Sequence, residues 1–190
     1  MDRYQSFAEL QAAEREGIDY KIVEKRRRRS RVAIIAPHGG QIETATSTLA
    51  RMIASDRFNL YLFEGTRASE NYPRLHITSH RFDEPRCMEL VLRCDTVIAV
   101  HGCKGPGVSV LLGGLDRKLK ELISQTLKKK GIRCRLNGHG FPGTSSRNIC
   151  NRGRCRQGVQ LELTQRARRG PSAGDVVTAV HEALRLADRH

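Results

Sequence analysis

The amino-acid sequence predicts an α/β protein: a single layered domain with a mixed, mostly parallel β-sheet flanked by helices. Three observations carry this. Short β-branched runs, Val32–Ala36 (VAIIA) and Thr96–Val100 (TVIAV), read as strands buried on both faces. Longer segments repeat apolar residues at helical spacing, as at Leu119, Leu122, Ile123 and Leu127. Strand-like and helix-like segments alternate along the chain, which is the pattern of a layered sheet.

Taken in order, residues 1–30 read as a basic N-terminal appendage, with Phe7, Leu10 and Ala13 on one face of a short helix and a charged block at Lys25–Arg29. The domain is expected over 31–190. It opens with the strand Val32–Ala36, which Pro37-His38-Gly39-Gly40 is expected to stop. A helix follows, carrying Ile42, Ala45, Leu49, Met52 and Ile53. Asn59–Phe63 and Leu75–Thr78 read as strands, and Glu84–Arg93 as a helix with Pro85 in its first turn. Thr96–Val100 ends at His101-Gly102. Val108–Leu112 is a further strand, Asp116 caps a helix running through Lys130, and Ile132–Leu136 is short and strand-like. Asn137–Gly158 has few hydrophobic residues; so long a stretch in a compact domain is functional or disordered. Val159–Leu163 (VQLEL) is a strand, and Asp175–Ala187 a closing helix with Asp175 as its N-cap.

Charge narrows the partners. Lys and Arg total 34 against 20 Asp and Glu, a formal net charge of +14, so an acidic partner is implied: nucleic acid, an anionic membrane or an acidic polymer. No apolar run approaches membrane-spanning length, and the first ten residues lack the apolar core of a secretory signal. A cytoplasmic protein, released by lysis if it acts outside, is the expectation. The six cysteines form no CxxC pair and read as reduced, partly buried thiols. Nucleic-acid binding through the basic N-terminus is the main alternative. Only 5% of residues are aromatic and Trp is absent, so stacking platforms are scarce. Gly102, Gly105 and Gly107 follow a strand but match neither phosphate-binding glycine pattern.

Ligand sites in such sheets lie beyond the carboxyl ends of strands. His38 follows VAIIA, His101 follows TVIAV, and Glu43 lies close after His38 in what reads as the first turn of a helix. Two imidazoles and a carboxylate suit an open zinc site, which keeps a fourth position for water. Each residue also has a plain reading: a strand-end His as a turn residue, Glu43 as a complement to a helix dipole. Glu162 lies within VQLEL. Alternation puts Gln160 and Glu162 on one face and Val159, Leu161 and Leu163 on the other. A carboxylate beside an activated water is the usual general base for amide hydrolysis. Arg147, Asn148, Asn151 and Arg152 supply forks and amides suited to an acidic substrate, or to nucleic-acid phosphates.

Four ordered segments, Ile34–Glu43 (IIAPHGGQIE), Leu75–Pro85 (LHITSHRFDEP), Val97–Gly105 (VIAVHGCKG) and Asn148–Leu163 (NICNRGRCRQGVQLEL), resemble the poly-γ-glutamate hydrolase family. That family includes phage enzymes that depolymerise the γ-glutamate capsules of bacilli. The resemblance implies a zinc hydrolase with an open core like that of zinc carboxypeptidases, using one zinc ion. It implies His38, Glu43 and His101 as metal ligands and Glu162 as general base. Asn151-Arg152 resembles the pair that holds a substrate carboxylate in carboxypeptidase-like enzymes, with Arg152 also near the reacting carbonyl. Arg147 and Asn148 would line the same loop, and His80 or Asp83 would support the metal or substrate. The implied partner is the polyanionic γ-glutamate polymer, or, on the same scaffold, small N-acylated or γ-glutamyl amides. The basic stretch through Arg29 is outside the resemblance.

Overall fold

The buried apolar runs become the central strands of one seven-stranded sheet. The computed structural model describes residues 2–188. Its strands are β1 (Tyr20–Lys25), β2 (Val32–Gly40), β3 (Asn59–Gly65), β4 (Thr96–Cys103), β5 (Ser109–Gly113), β6 (Arg133–Arg135) and β7 (Val159–Thr164), in the spatial order β1-β3-β2-β4-β7-β5-β6. The pairs β3–β2, β2–β4, β4–β7 and β5–β6 are parallel, and β1–β3 and β7–β5 antiparallel. The expected mixed, mostly parallel sheet is therefore present.

Six α-helices accompany it among the described residues: α1 (Phe7–Ala13), α2 (Thr46–Ala54), α3 (Asn71–Leu75), α4 (Pro85–Leu92), α5 (Arg117–Lys129) and α6 (Gly170–Ala187). Successive side chains of a strand face opposite ways, so each central strand feeds two cores. Ile34, Ile98, Val100 and Leu161 pack against α2, α5 and α6 through Leu49, Ile123 and Val180. Ile35, Ala99, Tyr61 and Phe63 pack on the other face with Phe7, Leu10, Tyr20 and Cys87. No helix among the described residues is long and apolar enough to cross a membrane.

The boundary expected at residue 30 corresponds to no break in the fold. Tyr4, Phe7, Leu10 and Tyr20 are buried, and β1 pairs with β3 from Tyr20↔Gly65 to Lys25↔Leu60. As a partly exposed edge strand, β1 (YKIVEK) lacks the continuous apolar run that marks its neighbours. Arg27, in the basic block, has its backbone N–H held by Asn59 Oδ1 at 2.7 Å.

Three local differences shape the site. First, Pro37-His38-Gly39-Gly40 does not end β2. Ala36 pairs with Leu62 and Gly39 with Glu64, so β2 carries one extra residue. Such a bulge re-aims side chains and accommodates the missing N–H of Pro37. Strict alternation would send His38 to the Ile34 face; the bulge turns it to the face bearing Ile77, Phe82 and His101. Second, Glu43 precedes α2 instead of lying in it. Ala45 adopts a left-handed conformation (φ 70°), and the Glu43 N–H bonds the His38 carbonyl at 2.9 Å. Third, Leu75–Thr78 is not a strand: α3 ends at Leu75, and the segment runs on without sheet pairing. The closing helix also begins earlier than expected, at Gly170 with Pro171 in its first turn, so Asp175 lies inside it.

Candidate metal centre and cleft

The parallel strands β2, β4 and β7 end side by side, and their carboxyl ends bring the polar residues together. His101 and Glu162 are direct partners in the β4–β7 register. Gln160 and Glu162 share the face opposite Val159, Leu161 and Leu163, because those three enter the α5/α6 core.

Three side chains converge. His38 Nδ1 lies 3.1 Å from Glu43 Oε1 and 3.1 Å from His101 Nδ1, and His101 Nδ1 lies 3.7 Å from Glu43 Oε2. A tetrahedral ion bound at ~2.0–2.1 Å sets its ligand atoms about 3.3 Å apart. The separations of the two imidazole nitrogens from each other and from the two Glu43 oxygens are therefore of the size that a tetrahedral divalent ion requires. The rest of each side chain prepares it. His38 Nε2 is 2.8 Å from the Ile77 carbonyl oxygen, so it carries the proton and leaves Nδ1 a free lone pair. His101 Nε2 faces Ser79 Oγ at 3.4 Å. Glu43 Oε2 accepts the Gly102 N–H at 2.7 Å. Burial works against ionising Glu43, but His38 and His101 outweigh it and hold the carboxyl well below the usual range.

A further imidazole stands alongside. His38, Glu43 and His76 each place a ligand atom within 4.8 Å of the others. His76 stacks between His38, at 4.1 Å between ring centroids, and Tyr72, at 4.5 Å. Its Nδ1 bonds Asp2 Oδ1 at 2.8 Å, and Asp2 also accepts the Thr78 N–H at 2.7 Å. Burial, and then His38, lower the His76 pKa to about 4, so it is neutral at pH 7.

Glu162 is buried, and burial followed by the charge of Glu43 pushes its carboxyl up to about 8. Gln160 Nε2 donates to Glu162 Oε1 at 2.9 Å, and Asn148 Nδ2 donates to Gln160 Oε1 at 2.8 Å, so a short chain of amides aims the carboxylate. His38, Glu43, His76, His101, Gln160 and Glu162 border one cleft of about 1000 Å³, which Gly140–Ser145 also line.

Similarity to known proteins bears on this site. A model of the poly-gamma-glutamate hydrolase family matches residues 4–170. The chain belongs to the poly-γ-glutamate hydrolase family. It is similar throughout to a bacteriophage poly-gamma-glutamate hydrolase of known structure, with a TM-score of 0.94, 31% identity and coverage of 100% of this chain and 99% of that one. It is similar to YNDL in a zinc-free structure, with a TM-score of 0.91 and 30% identity over 98% of this chain and 99% of the other. The UPF0714 protein YmaC of Bacillus subtilis is 37% identical over 170 residues, covering 88% of this chain and 71% of YmaC.

Within this family fold the residues singled out from sequence divide into two groups. His38, Glu43, His101, Glu162, His80 and Asn148 border the cleft. Arg147, Asn151 and Arg152 do not line it. Asn151 instead ties the loop together: its amide donates to the Gly143 and Ser145 carbonyls at 2.7 and 2.9 Å, and its Oδ1 accepts the N–H groups of Leu115 and Gly158. Arg152 sits in a one-turn 3₁₀ helix (Ile149–Arg152) that packs against α4 and acts through space on buried Cys87. Arg147 is exposed. Asp83 accepts the Phe7 N–H and so fastens α1. Sequence reasoning passed over Tyr72, His76 and Arg168 as cleft residues and Asp2 as the partner of His76. Arg168 alone had a local signal, as a cation shortly after the Glu162 strand.

Proposed function

We propose that this chain cuts the γ-amide bonds of poly-γ-glutamate by hydrolysis at one zinc ion, with His38, Glu43 and His101 as ligands and Glu162 as general base. The observation that carries this reading is the convergence of His38 Nδ1, His101 Nδ1 and the two Glu43 oxygens at 3.1–3.7 Å, with Glu162 in register beside His101. The family membership and the zinc-free state named for YNDL support zinc as the ion. When bound, zinc supplies Lewis acidity that polarises an amide carbonyl and makes a nearby water acidic near neutral pH.

The chain's own groups do the rest. In its ionised form, which the positive charge of a bound ion would favour, Glu162 takes a proton from the attacking water and returns it to the leaving amine nitrogen. The Asn148–Gln160 relay keeps its carboxylate in one orientation. Incubation with purified poly-γ-glutamate, followed by its chain-length distribution, tests the proposal. Shortening that stops with a chelator and returns with zinc is expected. An unchanged distribution from a folded, zinc-loaded protein excludes the substrate.

A second reading concerns a different surface. Arg27, Arg28, Arg29, Arg31 and Arg57 border a depression of about 640 Å³ at the opposite, amino-terminal ends of β2 and β3. Nucleic acid is the partner it would suit. A salt-titrated gel shift of the full chain against its R28E/R29E variant tests this, with no retardation by either form as the excluding result.

A further inference from the structure

Arg168 presents a feature that the reaction described above does not use. It is 9% exposed and borders the cleft together with Glu43 and Glu162. Its Nη1 donates to the Thr44 carbonyl oxygen, and its Nε is buried without a partner. Glu43 and Glu162 act on it through space, yet among the described residues no carboxylate forms an ion pair with it. A buried guanidinium left this way is costly unless an anion completes it. The guanidinium lies against Gly102, where an added Cβ would meet Nη1, Cζ and Nη2. Gly102 also gives its N–H to Glu43, so the guanidinium stands one residue from the ligand His101 and beside the ligand Glu43.

We infer that Arg168 binds the α-carboxylate of the glutamate on the leaving-amine side of the scissile bond. This rests on the hydrolase reading. In a γ-linked polymer the nitrogen of every amide is attached to a carbon bearing a free α-carboxylate. Wherever the chain is cut, a carboxylate lies a fixed three bonds from the reacting carbonyl carbon. A planar fork held beside the metal ligands is suited to that group at that range. The other cation on the cleft, Lys104, is exposed and offers a mobile point charge instead. Arg168 thus selects for γ-linked glutamate, whose backbone repeats the anchoring charge, over amides that lack it.

The test uses γ-glutamyl oligomers and matched oligomers whose α-carboxylates are converted to neutral carboxamides. The zinc-loaded wild type should prefer the acid form by roughly 100-fold in kcat/KM, as expected for a lost charge-assisted fork. R168Q should lose most of that rate on the acid form and little on the carboxamide, so that the preference falls to within a few fold. R168K keeps a charge of similar length without the fork and should show an intermediate preference. Equal losses on both substrates, with the preference intact, would assign Arg168 a structural role and overturn the inference. Calorimetric binding of γ-glutamylglutamate and its carboxamide to the zinc-loaded E162Q protein gives a reading independent of turnover. Equal affinity for the two also overturns it, whereas an uncut polymer with an intact binding preference sinks the hydrolase reading alone.

Discussion

At the residue scale, Glu162 and His101 carry separable predictions. Glu162 is buried beside Glu43, and in the metal-free protein its pKa is raised from 4.5 to about 8. The folded state therefore holds a proton that the unfolded chain releases near pH 4.5. Between those values the folded state binds more protons, so stability falls as pH rises, by up to ~1.4 kcal/mol per unit, and levels off above pH 8. Glu162→Gln removes this slope. Below about pH 6.5 His76, held neutral in the folded state, contributes the opposite slope, so the window that isolates Glu162 is pH 6.5 to 8: there the denaturant-unfolding stability of the metal-free protein should decline for wild type and stay nearly flat for the variant. The same variant should retain zinc and lose at least ~10²-fold in turnover; near-normal activity would remove Glu162 from its role. The third ligand is a choice between His101 and His76. His101 Nδ1 points at His38 and Glu43, whereas His76 Nδ1 is already engaged by Asp2. His101→Ala should therefore lose most bound zinc, and His76→Ala should keep most of it, as elemental analysis of the dialysed proteins would show. The reverse result would exchange their assignments.

At the element scale, the bulge in β2 and the N-terminal segment decide what the site can be. The strand-end histidines and Glu162 were legible in the sequence, because buried runs and alternation locate strand ends and faces from local pattern alone. The bulge was not legible: Pro37 and the glycines look like a stop, and only pairing with β3 shows that the strand continues and turns His38 over. The roles of Asp2, His76 and Arg168 were hidden for a related reason. Each depends on a partner distant in sequence: Asp2 on His76, and Arg168 on the space left by Gly102. Asn151-Arg152 lies apart from the cleft lining, where residue types suited to a carboxylate make the loop's own hydrogen bonds and pack against α4. The N-terminal elements lead to a prediction of their own. Removal of residues 1–30 takes away β1, leaves β3 as an open edge and strips Phe7, Leu10 and Tyr20 from the core. Burial of such side chains is worth about 1.5–3 kcal/mol each, and their sum approaches the whole stability of a typical domain. A chain beginning at Arg31 should show no cooperative thermal transition. A cooperative transition near that of the full chain would restore the appendage reading.

At the scale of the whole molecule, the charge and the cleft act on different lengths of substrate. The formal net charge of +14 sets up a positive field that attracts a polyanion before any contact forms. Such steering fades as the Debye length shrinks, from about 10 Å at 0.1 M salt to about 3 Å at 1 M. The cleft, by contrast, would hold its ligand through buried Arg168, where solvent ions screen little. The two contributions separate by substrate length. A long polymer presents many carboxylates to the surface field, while a short γ-glutamyl oligomer presents few and depends mainly on the cleft. Raising salt from about 0.05 to 0.5 M should therefore lower kcat/KM for the polymer by roughly tenfold or more and for a short oligomer by only a few fold. The loss should appear in KM, since neither the general base nor the ligand triangle is exposed to the added ions. Equal salt sensitivity for both lengths would mean that the basic surface does not guide the substrate, and the excess charge would then belong to another partner, such as one at the arginines around Arg28.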